Sequence, residues 1–230
     1  MCFSATASFG AGIVLSTIGA ASLKKVQSKS QILFASIPLV FAAQQITEGI
    51  LWLALSNPGN GQLQNVTTYI FLFIAQIVWP LFVPIAIFFV ESDQRRKKIL
   101  KVLIGIGIAV SGYLAFCLLS YYVNASIIGY HVSYHQDYPA AIGPYGGLLY
   151  IIATIAPPFL SSSKRMWLLG VTILISYIVT AIFYVDYIVS VWCFFASIIS
   201  ISVFVIMRDI KKLYSKISLL PSVHIIAKHL

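Results

Sequence analysis

The chain has 230 residues, of which 60% are hydrophobic and only 9% charged, with a mean hydropathy of +0.94. That composition excludes a water-soluble domain of this length and calls for lipid as the surrounding solvent. The net charge of +9 does not imply nucleic acid, because the basic residues fall where a membrane topology needs them.

Seven hydrophobic segments follow one another, near 8–23, 32–55, 66–90, 100–123, 144–160, 166–184 and 187–207. Most have the ~20 residues that a bilayer core demands. No basic region precedes the first, so a cleavable signal peptide is not expected. Segments one and five are short and rich in Gly, Ala, Ser and Thr, which predicts tightly packed inner helices. Segment three carries Pro80 and Pro84, and segment five ends in Pro157 and Pro158, so kinks are expected there.

All 15 Lys and Arg lie in 23–30, 91–101, 163–165 or beyond Met207. The intervening loops 56–65, 124–143 and 184–186 hold none. By the positive-inside rule the N-terminus is outside, the C-terminus cytoplasmic, and the chain crosses a plasma (bacterial inner) membrane as a seven-helix, all-α bundle. Residues 1–208 form one transmembrane domain. Residues 209–230 read as a basic tail, either amphipathic and broken at Pro221 or simply ragged.

The second segment contains the stretch FAAQQITEGILW, and within it Glu48. A carboxylate at bilayer depth is costly and points to function by default. On a helix Gln44, Gln45 and Trp52 share its neighbourhood, while Gln76 and Trp79 of segment three reach a similar depth. Glu48 lies roughly 10 Å from the outer end of its helix. Two readings stand: a functional pocket formed by these residues, or a protonated glutamate bonded to Gln76 and to Gln44 or Gln45 as interhelical glue. The polar and aromatic capacity favours the pocket.

Most other ionisable groups collect on the same outer side. His131 and His135 form an H-x-x-x-H pair, which on a helical turn presents two imidazoles to one point and suits Zn²⁺. Asp137, Glu48, Asp186 or Cys2 would supply the third ligand, leaving a position for a nucleophilic water. The competing reading is an interfacial belt of loop histidines among Tyr130, Tyr134 and Tyr138. Cys2 has alternatives of its own. With the initiator Met removed, its thiol and amine would ligate a metal or act as a nucleophile; otherwise it faces lipid or pairs with Cys193. The three cysteines, Cys2, Cys117 and Cys193, are too few and scattered for a disulfide framework or zinc ribbon.

Other chemistries are excluded. Every lysine lies in a predicted cytoplasmic loop or tail, so a retinal Schiff base has no anchor. There is no phosphate-binding G-x-x-x-x-G-K-[ST] loop and no G-x-S-x-G nucleophile elbow.

MCFSATASFGAG, followed by a lysine-bearing turn and FAAQQITEGILWLAL, resembles an uncharacterised, mainly bacterial family of small multi-pass membrane proteins. Its members open Met-Cys-Phe-Ser-Ala and carry a Gln-Gln…Glu-Gly…Trp second helix. The resemblance implies no function but marks Cys2, Ser4, Gln45, Glu48 and Trp52 as distinctive. A remoter likeness is to seven-helix metal hydrolases of the alkaline ceramidase type, whose H-x-x-x-H lies on the last helix rather than before the fifth segment.

These features lead to three expectations. The first is a membrane-embedded, metal-dependent hydrolase of a lipid or amide, with Glu48 as base or ligand, Cys2 as a further candidate, and His131, His135, Asp137 and Asp186 as candidate ligands. The second is a carrier or sensor for a small solute or metal ion, with Glu48 as a protonatable gate. The third is a helper subunit for another membrane protein. The expected partners are the bilayer and a small-molecule or lipid ligand, not nucleic acid.

Overall fold

The computed structural model describes residues 4–57, 59–139 and 143–218. Its helices are α1 (Ala5–Leu23), α2 (Ile32–Ala35), α3 (Ile37–Leu55), α4 (Gly61–Leu72), α5 (Trp79–Val90), α6 (Gln94–Ser120), α7 (Gly143–Phe159), α8 (Met166–Phe183), α9 (Ile188–Phe194) and α10 (Ala196–Ser218). One antiparallel hairpin, β1 (Val123–Ile128) and β2 (His131–Gln136), interrupts them. Among the described residues, five stretches are long and apolar enough to cross a membrane: Ala5–Leu23, Lys29–Leu55, Gly61–Val90, Gln94–Ser120 and Met166–Phe183. Large apolar side chains such as Val102, Leu119, Ile182 and Phe183 are exposed on their faces. Water would penalise such a surface and lipid does not. The architecture is that of an all-α membrane protein carrying one hairpin.

The expected segments appear with local breaks that the sequence explains. Ser4 caps α1, its hydroxyl accepting from the Ala7 amide at 3.2 Å. Ser36 separates α2 from α3 just before Pro38, and its hydroxyl donates to the Leu33 carbonyl. In the third segment, α4 passes into α5 through a π-helical turn, Phe73–Val78, placed directly before Pro80. A proline at that point removes the donor its preceding turn needs, and a widened turn redistributes the freed carbonyls. Side chains from two other helices satisfy two of the turn's carbonyls. The Tyr150 hydroxyl donates to the Ala75 carbonyl at 2.6 Å, and the Ser111 hydroxyl to that of Ile77 at 2.8 Å.

Segment one departs from expectation. Small residues do give α1 close contact with α3: Gly12 faces Ile46, Gly19 faces Leu39, and Gly49 of α3 receives the Phe9 ring. Yet Ile13 and Val14 on its other side are exposed, so α1 is a peripheral helix with one packed stripe, not an inner one. The basic tail begins on the last helix. α10 runs unbroken through residue 209 to Ser218, carrying Arg208, Lys211 and Lys212 on the same rod. Pro221 and the rest of 219–230 lie outside the described residues.

The two ends of the bundle are built differently. At the basic end, Glu91 is almost fully buried and its carboxylate accepts four hydrogen bonds: from the amides of Ser92 and Asp93, and from the amide and hydroxyl of Ser162. Arg96 donates to the carbonyls of Leu160 and Ser161, and Arg165 pairs with Asp209. These contacts bind the α5–α6 and α7–α8 connections to each other and α8 to α10. At the opposite end the hairpin lies over the bundle, with Val132 and Ala125 packed on Leu51 and Trp52.

Candidate functional site

α3 places Gln44, Gln45 and Glu48 inside the bundle, all essentially inaccessible. Their partners differ. The Ser190 hydroxyl of α9 donates to Glu48 Oε1 at 2.7 Å, and the Gln45 amide donates to Glu48 Oε2 at 3.4 Å. Gln44 accepts from Trp79 Nε1 at 2.9 Å. Of the bonds foreseen in the interhelical-glue reading, that from Gln45 is made, and among the described residues that from Gln76 is not. Gln76 instead donates to Gln136 Oε1 of the hairpin at 2.9 Å and accepts from the Tyr138 hydroxyl at 3.0 Å. Burial pushes the Tyr138 phenol up, which keeps it a donor. Trp52 is buried one turn from Glu48, under the hairpin, and its indole N–H has no partner among the described residues.

Below this polar layer is a cavity of about 270 Å³. Its walls come from α3, the π turn, and α5 to α10. Phe41 stacks on Trp79 with centroids 4.0 Å apart, and Trp192 packs against Tyr177 and Tyr150. The polar lining groups are Gln44, Gln76, Trp79, Tyr150, Thr154, Tyr177 and Trp192; among the described residues the lining contains no Asp, Glu, Lys, Arg or His. Glu48 is not in the wall. It stands one turn beyond Gln44, and Ser190, which holds it, follows the lining residue Val189. The carboxylate thus ties α3 to α9 just outside the cavity's polar end.

The predicted metal ligands are not gathered. His131 and His135 lie on β2, not on a helical turn. A strand rises about 3.3 Å per residue, so four residues separate their backbones by roughly 13 Å, against the convergence that a helix would have given. His131 stacks on Tyr187 at 4.6 Å and meets Tyr184 edge-on, and burial holds its imidazole below the usual range. His135 pairs with Asp137 at 2.9 Å on an exposed edge, where such pairs contribute little. Asp186 is exposed in the turn Val185–Tyr187. Among the described residues no group of three or more His, Cys, Asp or Glu could hold a metal ion. Among the described residues, zinc therefore finds no set of three converging ligands. Cys2 lies outside the described residues.

Gln44, Gln76 and Trp79 are thus brought to one cavity, and Gln45 and Glu48 to its edge, while the histidines and Asp186 belong to the hairpin and the connection beneath it. Sequence reasoning missed Ser190, Tyr150, Tyr177 and Trp192. The available signal was weak: small polar and aromatic residues recur inside segments five to seven, but nothing in their spacing says which face the centre.

No curated protein and no solved structure matches this chain. A family model does match, over residues 1–216, and the chain belongs to that family, DUF6629, a family of unknown function.

Proposed function

We propose that this protein is a membrane-embedded carrier or sensor for a small, largely apolar solute, with Glu48 and Ser190 as the latch at one end of its binding cavity. The observation that carries this reading is the cavity itself: about 270 Å³, walled by aromatic and aliphatic side chains, with a few neutral polar groups. Concave, mostly apolar sites with a few placed polar groups are the usual form of small-ligand pockets.

In the same reading the chain crosses the plasma membrane seven times, by α1, α2–α3, α4–α5, α6, α7, α8 and α9–α10. The hairpin end is outside and the basic end cytoplasmic, as the positive-inside rule requires. The hydrolase reading lacks comparable support, since among the described residues its candidate ligands form no cluster of three.

Gly147 is exposed and also lines the cavity, and a side chain built there would meet nothing within 4 Å. It marks the mouth. Trp79 and Trp192 line the interior, so in a Trp52→Phe/Trp167→Phe background their fluorescence reports occupancy. Addition of 1-bromooctane to this protein in lipid nanodiscs is expected to quench them saturably. Gly147→Leu should remove most of that quenching without destabilising the fold. Quenching that stays linear in probe, equal in both proteins and equal to that of lipid-facing Trp167 alone, would contradict a binding cavity.

A further inference from the structure

Resting on that reading, we infer that the cavity selects an uncharged amphiphile, with a hydroxyl or carbonyl head at the hairpin end and an apolar tail directed toward the basic end. Polarity is unevenly distributed along the walls. On α3 the lining runs from Ile37 through Phe41 to Gln44; on α8 it runs from Leu169 through Ile173 to Tyr177. These two helices place their apolar members toward the basic end and their polar ones toward the hairpin. Seven or eight residues of helix span about 10–12 Å, which is the length over which the wall changes character. Val83 and Ile199 belong to the apolar end; Gln76, Tyr150 and Trp192 belong to the other, where Leu114, Ile188 and Val189 also line the wall, and Thr154 on α7 lies toward the apolar end with its hydroxyl bonded to its own helix.

Most of the polar atoms at that end are already engaged. Trp79 Nε1 is given to Gln44, Trp192 Nε1 to the Ser176 hydroxyl at 2.9 Å, and the Tyr150 hydroxyl to the π-turn carbonyl of Ala75. Two lining residues keep donor capacity. The Gln76 amide uses one of its two N–H groups on Gln136, and the Tyr177 hydroxyl makes no hydrogen bond among the described residues. Both are neutral donors, suited to an acceptor oxygen such as an alcohol or carbonyl.

Charge decides the remaining question. No described lining residue is ionisable in the range where it would balance a phosphate, carboxylate or ammonium head. An ion without a partner in such surroundings is strongly disfavoured, whereas a hydroxyl or carbonyl needs only the donors present. Glu48, the nearest carboxylate on α3, is directed to Ser190 and Gln45 instead.

The test uses the same Trp79/Trp192 protein in nanodiscs of neutral lipid, at neutral pH, with 1-bromooctane, ω-bromooctanol, ω-bromooctanoate and ω-bromooctylamine. At that pH the acid is ionised and the amine protonated. The alcohol is expected to quench with the highest affinity, at least about tenfold above either ion. Tyr177→Phe should reduce its advantage over 1-bromooctane while leaving 1-bromooctane quenching unchanged. Equal affinity of an ion and the alcohol would overturn the choice of a neutral head, although a binding cavity would stand. An alcohol advantage that survives Tyr177→Phe and Gln76→Leu together would overturn the polar-end assignment. Failure of all four probes, 1-bromooctane included, would remove the binding reading as well.

Discussion

Gly107→Ala is expected to destabilise the protein by about 3 kcal/mol or more, the upper range for overpacking a filled interior. A methyl group at Gly107 would collide with the carbonyl oxygen of Pro80. That oxygen belongs to the backbone of α5, so no side chain can rotate away to make room. The approach is close because Pro84 supplies no amide to the preceding turn, leaving that side of α5 for α6 to cover. The same crossing lets Ser111, one turn along α6, reach the carbonyl of Ile77. Displacing α6 would therefore also strip a partner from the π turn. Gly105→Ala and Gly112→Ala are the controls, since a side chain at either meets nothing within 4 Å and alanine is the better helix former. Thermal unfolding in detergent, followed by loss of the monodisperse peak, measures all three. A Gly107→Ala protein as stable as the controls would refute the packing assigned to this crossing.

Glu91→Gln is the second large effect, about 3 kcal/mol at neutral pH, because buried amide donors lose their charged acceptor. Burial, the strongest single influence, pushes the Glu91 carboxyl up. The hydrogen bonds it accepts, chiefly from Ser162 and Asp93, together outweigh it and lower the pKa from 4.5 to about 2. A carboxylate whose folded value is depressed contributes stability that is fully present above the unfolded value. That contribution is lost as pH falls through the folded one. The difference in unfolding free energy between wild type and Glu91→Gln should thus be constant above about 4.5 and shrink as the pH approaches about 2. A difference that grows on acidification would have the wrong sign for this account.

Much of the helical layout was legible because lipid imposes long apolar runs and charges can end them. Glu48, Gln44 and Gln76 stood out for the same reason: polar groups are rare at that depth. The hairpin was not legible. Its strand 131–136 alternates His, Ser and His with Val, Tyr and Gln, and the H-x-x-x-H spacing is compatible with either a helical turn or a strand face. Only pairing with 123–128 decides, and that pairing put the two histidines far apart. Glu91 illustrates the opposite error. It stands beside Arg95, Arg96 and two lysines, where a solvated loop charge is the ordinary case, yet it accepts bonds from a connection some 70 residues away. Ser190 and Tyr177 were hidden because a serine or tyrosine within an apolar helix does not declare its partner.

The central claim, that the bundle encloses a site for a small uncharged amphiphile, is tested most directly by native mass spectrometry of the protein taken from its own membranes in neutral detergent. The account predicts a wild-type species carrying one small adduct that is extractable into organic solvent and bears no ionisable head, and its absence from Gly147→Leu. Wild-type protein that carries no adduct, or one that persists equally in Gly147→Leu, would contradict it.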